Sequence, residues 1–165
     1  MTSSGAPDYS ITRLRPGDAL DEVVALETAS FSNPWSRGTL ERDLRNTDVV
    51  HVYVLRDADA HLVGFCGCWF VADELHINTL AIAEEFRRRG HATRLLRFVL
   101  AEAAAAGITG ATLEVRRSNV AALRLYDRFD FEVGGIRPDY YTEPVEDALV
   151  LWSRKLGFLN LNTEP

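Results

Sequence analysis

The sequence predicts a single α+β domain, in which a largely antiparallel sheet gains parallel pairing where a helix crosses over. Three observations support this class. A length of 165 residues is room for one domain. Segments with the alternating pattern of strands are interspersed with segments whose apolar residues recur at helical spacing. Most strand-like segments follow one another closely, but a long helical segment separates two of them, as a parallel pair requires.

The chain begins with a loose polar arm, residues 1–9, which leads into a strand over Tyr9–Leu14. A Pro-Gly pair breaks that strand. Asp18 is the expected N-cap of a first helix, and Ser36 that of a second, shorter one. Three strands follow, of which the first two form a hairpin. They are predicted over Val49–Leu55, Leu62–Val71 and Leu75–Ile82.

The strongest helical pattern begins at Ala92. Its apolar residues form one stripe, and Gly107 ends the helix as the C′ residue. A second short helix is expected from its cap Ser118 to Tyr126. The remaining predictions are strands over Ala111–Val115, Phe131–Ile136 and Ala148–Lys155, and a loop over Pro138–Pro144.

Composition and charge limit the function classes. Hydrophobic residues make up 47% and charged residues 25%, which excludes a disordered tail, a collagen and a coiled-coil rod. No run of about 18 apolar residues exists and no secretory signal precedes the domain, so we expect a cytoplasmic protein without a membrane partner. The net charge of −6 repels nucleic acid and mildly favours cationic partners such as amines or basic peptides.

The first candidate site is Arg87-Arg88-Arg89-Gly90-His91-Ala92, between a strand and the strongest helix. A glycine in such a turn lets backbone N–H groups converge, and the helix N-terminus adds about half a positive charge. The pattern lacks the residues that complete a P-loop or a dinucleotide fingerprint. Taken alone, three arginines are more often a solvated turn, but the strand–turn–helix context favours a pyrophosphate site.

Glu114 and Tyr126 are the second candidates. Glu114 lies on a strand between apolar neighbours that point to the other face, and partial burial would raise its pKa toward that of a useful general base. The phenol of Tyr126 can donate a proton to a leaving group. Two structural roles stay open: Glu114 could pair with Arg116 on a solvated face, and Tyr126 could fill the core with its hydroxyl at the rim.

Other polar residues give weaker indications. Asn119, just after the expected cap, either contacts a ligand or faces water. Cys66 and Cys68 are too few for a disulfide framework and are expected to be reduced in the core. The histidines and cysteines lack the paired spacing of zinc ligands, so no metal is expected, and His51 and His76 are expected to be ordinary strand histidines.

Together these residues resemble a known family. Arg87-x-x-Gly90-x-Ala92 is similar to the acyl-CoA motif of the GCN5-related N-acetyltransferases (GNAT). Further segments resemble the ribosomal-protein-alanine N-acetyltransferases of the RimI type, which acetylate the N-terminal alanine of a small-subunit ribosomal protein. These segments are Phe31–Ser36, Leu113–Arg116, Ser118–Ala121, Leu125-Tyr126, Tyr140-Tyr141 and Glu146–Ala148. The similarity covers about residues 10–155.

The resemblance implies the GNAT fold, with a mixed, mostly antiparallel sheet of about six or seven strands and about four helices. It places an N-acetyltransferase domain over residues 10–156, between the N-terminal arm and an extension at 157–165. Acetyl-CoA is the implied co-substrate, without a metal, and a protein N-terminus is the implied partner. The usual glycine before Phe131 is Asp130 here, and aspartate tolerates the left-handed geometry of that turn.

Residue by residue, the resemblance assigns Glu114 as general base and Tyr126 as general acid. The residues expected at the coenzyme are Leu80, Ala81, Ile82, Arg88, Arg89, Gly90, His91, Ala92, Thr93 and Asn119. Those expected at the acceptor cleft are Phe31, Trp35, Tyr140 and Tyr141. Direct transfer is expected, since neither cysteine is obviously activated. Two alternatives stay open: acetylation of another amine, such as a lysine or a small metabolite, and a non-catalytic acyl-CoA-binding regulatory module.

Overall fold

A computed structural model describes residues 8–156 of the protein. The predicted extension at 157–165 and nearly all of the predicted arm at 1–9 lie outside the described residues. The strands are β1 (Ser10–Arg13), β2 (Val50–Arg56), β3 (Leu62–Val71), β4 (Glu74–Ile82), β5 (Gly110–Arg116), β6 (Glu132–Thr142) and β7 (Val145–Ser153). The helices are α1 (Asp21–Ser30), α2 (Arg37–Leu44), α3 (His91–Ala105) and α4 (Val120–Asp127), with a short 3-10 helix over Glu84–Phe86. Within the described range, no helix is long and apolar enough to cross a lipid bilayer.

The seven strands form one sheet in the order β1-β2-β3-β4-β5-β7-β6. Neighbouring strands are antiparallel except β4 and β5, which are parallel. The connection between those two strands runs through α3, as a parallel crossover requires. The predicted α+β class and the mostly antiparallel sheet are therefore confirmed.

The sheet separates two hydrophobic cores. Because side chains alternate along a strand, Val52 and Val54 of β2 enter the core beneath α1 and α2, whereas Tyr53 and Leu55 enter the core beneath α3 and α4. The apolar stripe predicted for the longest helix fills the second core. Its buried members include Leu95, Leu96, Val99, Leu100 and Ala103 of α3.

Asp18, the predicted cap of the first helix, is not its cap. The N-cap position of α1 is occupied by Leu20, whose side chain makes no capping hydrogen bond. The carboxylate of Asp18 instead accepts the backbone N–H of Arg15 at 2.8 Å. A side chain that closes the preceding turn is no longer available to the helix, because both roles need the same oxygen atoms in different places.

The predicted cap Ser118 is wrong by one residue. Asn119 is the N-cap of α4, and its side-chain oxygen accepts the N–H of Ala122 at 3.2 Å. The backbone N–H and the hydroxyl of Ser118 both donate to Glu146, at 2.6 and 2.9 Å. Glu146 lies 28 residues further along the chain, so local sequence could not reveal this competition.

The loop predicted over Pro138–Pro144 is wrong for most of its length, because β6 continues to Thr142. The ladder with β7 has a register shift between Arg137 and Tyr141 and then resumes. Pro138 is compatible with this strand because β6 lies at the edge of the sheet, where a missing N–H need not break a ladder.

Three other local predictions are confirmed. The hydroxyl of Ser36 accepts the N–H of Thr39 at 3.1 Å and caps α2. Gly107 follows α3 with a φ of +86°. Asp130 has a φ of +59°, so aspartate does take the left-handed conformation in the turn after α4.

Candidate active site

A wedge opens in the sheet between the parallel strands β4 and β5. Their pairing ends at Ile77 and Leu113, although both strands continue beyond this point. Each strand keeps its outer neighbour, since β4 stays paired with β3 and β5 with β7. The expected coenzyme residues Leu80, Ala81 and Ile82 therefore form the β4 wall of the wedge, on an edge that is free of strand pairing toward β5.

A β-bulge in β4 lies where the wedge begins. Gly67 of β3 pairs with Thr79, and Cys68 pairs with Ile77, which leaves Asn78 as the extra residue. Bulges bend a strand and increase its twist. This one coincides with the last pair of the parallel ladder, Ile77 and Leu113, beyond which β4 and β5 are no longer paired.

The loop that leads from β4 to α3 turns its backbone through two left-handed residues. Arg88 has a φ of +63° and Gly90 a φ of +80°. A Cβ added to Gly90 would meet nothing within 4 Å, so the left-handed conformation rather than space requires glycine here. The Nε of Arg87 donates to the carbonyl of Ile82 at 3.0 Å and fastens the loop to the end of β4.

The N-terminus of α3 faces the same region. Arg94 donates its backbone N–H to the carbonyl of Gly90 at 3.0 Å. The N–H groups of His91, Ala92 and Thr93 come before this first helical bond, so they have no acceptor within the helix. Together with the left-handed residues before them, these groups form a concave set of donors suited to an anion. The exposed side chains of Arg88 and Arg89 add positive charge.

The side chain of His91 turns away from this cradle. Only 4% of the residue is exposed, and its ring lies edge-on to Tyr9 at 4.7 Å and to Phe86 at 6.2 Å between centroids. Burial is the largest cause that lowers the pKa of His91, with Arg94 adding to it. His91 can therefore contribute its backbone N–H to a ligand, and its uncharged ring packs beneath the helix.

Glu114 lies on β5 beyond the last pair of the parallel ladder. Its Oε2 is 2.9 Å from Nε2 of His76, and its Oε1 is 3.5 Å from a guanidinium nitrogen of Arg137. The hydrogen bond from His76 is the largest cause that lowers the pKa of Glu114, and it outweighs burial. The expected upward shift of this pKa is therefore wrong, and the carboxylate is ionised at neutral pH. The alternative pairing with Arg116 is also wrong, since Arg116 pairs with Glu146 at 3.3 Å.

Tyr126 projects from α4 into the core beneath α3 and α4. It is 6% exposed, and its ring packs edge-on against Phe131 at 5.4 Å. Burial is the main cause that raises the pKa of Tyr126, and Cys66 and Tyr141 raise it further. The phenol therefore keeps its proton at neutral pH, as a general acid must.

The expected acceptor residues come from the loop between α1 and α2 and from the end of β6. Asn33 donates to the hydroxyl of Thr142 at 3.1 Å and joins these two segments. Phe31 is 37% exposed and Tyr140 48%. The rings of Tyr140 and Tyr141 lie perpendicular, 5.0 Å apart.

Tyr141, one of the expected acceptor residues, interacts electrostatically with both candidate catalytic residues. Burial raises the pKa of Tyr141 to about 12, and the neighbouring Tyr140 and Glu114 contribute to the rise. Tyr141 in turn raises the pKa of Tyr126. Tyr141 is therefore within electrostatic reach of Glu114 and of Tyr126.

Arg116 connects the segments that carry the expected acceptor residues, a role that the sequence did not reveal. Its guanidinium donates to Ser32 of the α1–α2 loop at 3.1 Å and to the carbonyl of Pro144 at 2.9 Å. It also pairs with Glu146 and lies 4.3 Å from the ring centroid of Tyr141. One side chain thus connects β5, the α1–α2 loop and both strands of the β6–β7 hairpin.

Glu27 is a second residue that sequence reasoning missed. It is 5% exposed, and its carboxylate accepts the backbone N–H of Trp35 at 3.1 Å and the hydroxyl of Thr79 at 3.0 Å. Burial raises the pKa of Glu27 above its ordinary value. The ring of Trp35 covers Gly67, where an added Cβ would lie 3.0 Å from the ring. Trp35 is therefore packed against β3, and Glu27 ties its backbone to Thr79 of β4.

Comparison with known proteins assigns the family. The model of the acetyltransferase (GNAT) family matches residues 20–131. The chain belongs to the acetyltransferase (GNAT) family. It is therefore an acetyl-CoA-dependent N-acetyltransferase.

Similar proteins indicate which subfamily of the GNAT family this chain resembles. A putative ribosomal protein bS18-alanine N-acetyltransferase of Bacillus subtilis is 36% identical over 133 residues, which cover 81% of this chain and 87% of that protein. The ribosomal protein bS18-alanine N-acetyltransferase of Haemophilus ducreyi is 34% identical over 75% of this chain and 83% of that protein. The crystal structure of the ribosomal-protein-S18-alanine N-acetyltransferase from Escherichia coli superposes with a TM-score of 0.81 at 26% identity, covering 96% of this chain and all of that chain. The GNAT fold and the resemblance to RimI-type enzymes are thus confirmed.

The residues of this GNAT enzyme fit the coenzyme. The N–H donors and the arginines at the start of α3 suit the negative charge of a diphosphate, and the unpaired edge of β4 offers backbone groups to an extended arm. Asn119 uses its side-chain oxygen to cap α4, which leaves its amide N–H₂ as the part able to reach a ligand. Bound acetyl-CoA supplies the thioester carbonyl and the thiol leaving group.

Two remaining predictions concern cysteines and metals. Cys66 and Cys68 of the acetyltransferase are free and buried, as expected. Among the described residues, Asp57, Asp59 and His61 place potential ligand atoms within 4.8 Å of one another. Asp57 already accepts the backbone N–H groups of Asp59 and His61, so these contacts serve the β2–β3 turn.

Proposed function

We propose that this GNAT enzyme acetylates the α-amino group of a protein N-terminus, and that its acceptor is the N-terminal alanine of ribosomal protein bS18. The similarity to bS18-alanine N-acetyltransferases over most of both chains carries this proposal. The proposed acceptor side is the α1–α2 loop together with the end of β6; Asn33 joins these two segments, and Arg116 ties the loop to β5. Phe31 and Tyr140 on these two segments are exposed and so can contact the residues that follow a peptide N-terminus, which a polyamine lacks.

The coenzyme would lie along the wedge. Backbone N–H groups of Gly90, His91, Ala92 and Thr93 would hold its diphosphate, with Arg88 and Arg89 at the rim. Residues 80–82 would align its pantetheine arm through the free edge of β4. A backbone N–H of this edge would stabilise the oxyanion of the tetrahedral intermediate, a contact worth about 3–4 kcal/mol.

The proton transfers would use Glu114 and Tyr126. An α-amino group has a pKa of about 7.7–8.0, so a large share is protonated and unreactive at neutral pH. Glu114 would draw the proton from the acceptor ammonium, and the phenol of Tyr126 would protonate the departing thiolate. Acid–base catalysis of this kind contributes about 10²–10⁴-fold. Positioning and the oxyanion contact would supply the rest of the rate enhancement.

Mass spectrometry of acetylated peptides tests the proposed function. The purified chain is incubated with acetyl-CoA and peptides that carry the bS18 N-terminal sequence, starting with alanine or with another residue. We expect one acetyl group on the α-amine, with alanine preferred. An N-terminally blocked peptide with a free lysine, spermidine and an aminoglycoside are the other acceptors. Acetylation of any of these in preference to the alanine peptide would contradict the proposal, as would coenzyme binding without turnover.

A further inference from the structure

The hydrogen bond between His76 and Glu114 joins the candidate general base to a second titratable side chain. We propose that the two act as one proton-accepting pair, in which the imidazole of His76 takes the proton that the acceptor amine loses and Glu114 holds the imidazole in place. This inference rests on the proposed function and deepens it. The proton of the acceptor amine would end on His76 and not on Glu114.

The geometry places His76 at the outer end of the pair. Its side chain is 30% exposed, whereas that of Glu114 is 13% exposed. The 2.9 Å separation of Nε2 and Oε2 is that of a strong charge-assisted hydrogen bond. The ring is also positioned from β3, where Trp69 lies edge-on at 5.7 Å between centroids. The imidazole is therefore the more exposed member of the pair, and Glu114 and Trp69 fix its orientation.

The charges around the pair favour His76 as the proton acceptor. On the side of β6, Arg137 lies 3.5 Å from Glu114 and stabilises its negative charge, while Tyr141 stays protonated at neutral pH. On the side of α1, the carboxylate of Glu27 is engaged by Trp35 and Thr79. A carboxylate stabilised by a guanidinium accepts a proton poorly at neutral pH, whereas a neutral imidazole has a nitrogen lone pair that can accept one.

The hydrogen bond also selects the tautomer of the ring. If Nε2–H donates to Glu114, then Nδ1 carries the free lone pair, as in other carboxylate–histidine pairs. The acceptor ammonium gives one proton to Nδ1, directly or through one water. The amine nitrogen then forms a bond to the thioester carbon, and the C–S bond breaks.

The remaining protons balance without another reactant. The thiolate takes a proton from Tyr126, and the second proton of the attacking nitrogen restores that phenol. The proton held by His76 leaves to solvent. One proton is therefore released for each acetyl group moved from the thioester to a protonated amine.

The pH dependence of the variant His76→Gln tests the pair. We expect kcat/KM for the alanine peptide to fall about 100-fold at pH 7, because general base catalysis is lost. Above pH 9 the amine is already deprotonated, so kcat/KM of the variant should come within about threefold of the wild-type value. The KM for acetyl-CoA should not change. His61→Gln, at an exposed histidine that pairs with Asp57 at 3.1 Å, is the matched control and should follow the wild type at every pH.

Two outcomes would overturn the inference. One is a deficit in His76→Gln that is equal at all pH values, because a purely structural role does not depend on the protonation of the acceptor. The other is an unchanged rate. If the variant does not fold, nitrogen NMR of the wild-type imidazole replaces it. We expect the His76 ring to be the Nε2–H tautomer in the wild type and to lose this preference in Glu114→Gln. An Nδ1–H tautomer in the wild type would contradict the proposed pair.

The failure of the proposed function has a different signature. In that case the wild-type chain leaves the alanine peptide unmodified and acetylates another amine. The pH comparison is then made with that amine, so the proton-accepting pair is tested independently of the acceptor's identity.

Discussion

At the scale of single residues, the surroundings shift the pKa values of the two candidate catalytic groups in opposite directions. Glu114 receives a hydrogen bond from His76 and the charge of Arg137, which together lower its pKa. Tyr126 meets mostly apolar neighbours, and its pKa rises. The carboxylate is thus ionised and the phenol protonated in the same pH range, which is the pair of states that removal and delivery of a proton require.

Removal of the Tyr126 hydroxyl should affect turnover alone. We expect Tyr126→Phe to lower kcat by about 100-fold, because the thiolate then leaves without its proton donor. The dissociation constant for acetyl-CoA should stay within about twofold, since the ring remains in its core position. Steady-state kinetics and calorimetric binding of the same preparation separate the two quantities, and a wild-type kcat would remove Tyr126 from the mechanism.

Glu27 gives a prediction about stability and pH. Its folded-state pKa lies above the ordinary value of 4.5, so its contribution to stability is fully present below 4.5 and is lost as pH rises through the folded value. Glu27→Gln stays neutral, and it keeps an acceptor for Trp35 and a donor for Thr79. The variant should therefore gain stability relative to the wild type between pH 4.5 and pH 7.

Urea unfolding at several pH values measures this difference. Glu22→Gln, at a largely exposed carboxylate on the same helix, should show little change with pH. Glu27→Ala should cost about 1–3 kcal/mol, because it leaves two buried donors without an acceptor. A stability difference between Glu27→Gln and the wild type that does not vary with pH would show that the folded-state pKa is not raised.

At the scale of secondary-structure elements, two local features connect the elements around the site. The left-handed residues before α3 direct backbone N–H groups toward the coenzyme region. Arg116 ties β5 to the acceptor side. One substitution removes each feature, and a similar residue in the same element or next to it serves as the control.

Gly90→Val should weaken coenzyme binding. A β-branched residue at a φ of +80° is strained by about 1–2 kcal/mol, and relaxation of the loop would turn its N–H groups away. We expect the dissociation constant for acetyl-CoA to rise by about tenfold or more. Gly107→Val introduces similar strain at the other end of α3, at a φ of +86°, and should lower the melting temperature without changing this constant. Equal affinities for Gly90→Val and the wild type would place the diphosphate elsewhere.

Arg116→Lys should impair the acceptor side and spare the coenzyme. A lysine cannot reach Ser32, the hairpin carbonyls and Glu146 together, because it lacks the planar fork of arginine. We expect KM for the peptide to rise about tenfold, with the dissociation constant for acetyl-CoA unchanged. Arg117→Lys is the control, since Arg117 is half-exposed and pairs only loosely with Asp147 at 3.5 Å. If Arg116→Lys and Arg117→Lys had the same KM for the peptide, the proposed role of Arg116 in holding the acceptor side would be wrong.

At the scale of the whole molecule, the sheet splits in two and the site occupies the gap. The chain has a net charge of −6, yet Arg88, Arg89 and the N-terminus of α3 make a basic cradle after β4, whereas β5 carries the ionised carboxylate of Glu114. An anionic coenzyme and a cationic amine therefore meet the charge that suits each of them.

The sequence predicted the architecture well because its patterns are local. Alternation along β2 and the apolar stripe of α3 depend on neighbours within a few residues, and so does the left-handed turn at Asp130. The predictions that failed depend on distant partners. Ser118 bonds to Glu146, and His76 bonds to Glu114 from 38 residues away. Neither spacing nor composition encodes such contacts, so the N-cap of α4 and the direction of the pKa shift of Glu114 could not be predicted.

The central claim is that α3 holds a diphosphate and presents a thioester to an amine between Glu114 and Tyr126. A crystal structure with a conjugate of coenzyme A and an alanine peptide tests it most directly. We expect the diphosphate within hydrogen-bond distance of the N–H groups that begin α3, and the reacting carbon between the carboxylate and the phenol. A diphosphate bound away from α3, or a reacting carbon out of reach of both side chains, would contradict the claim.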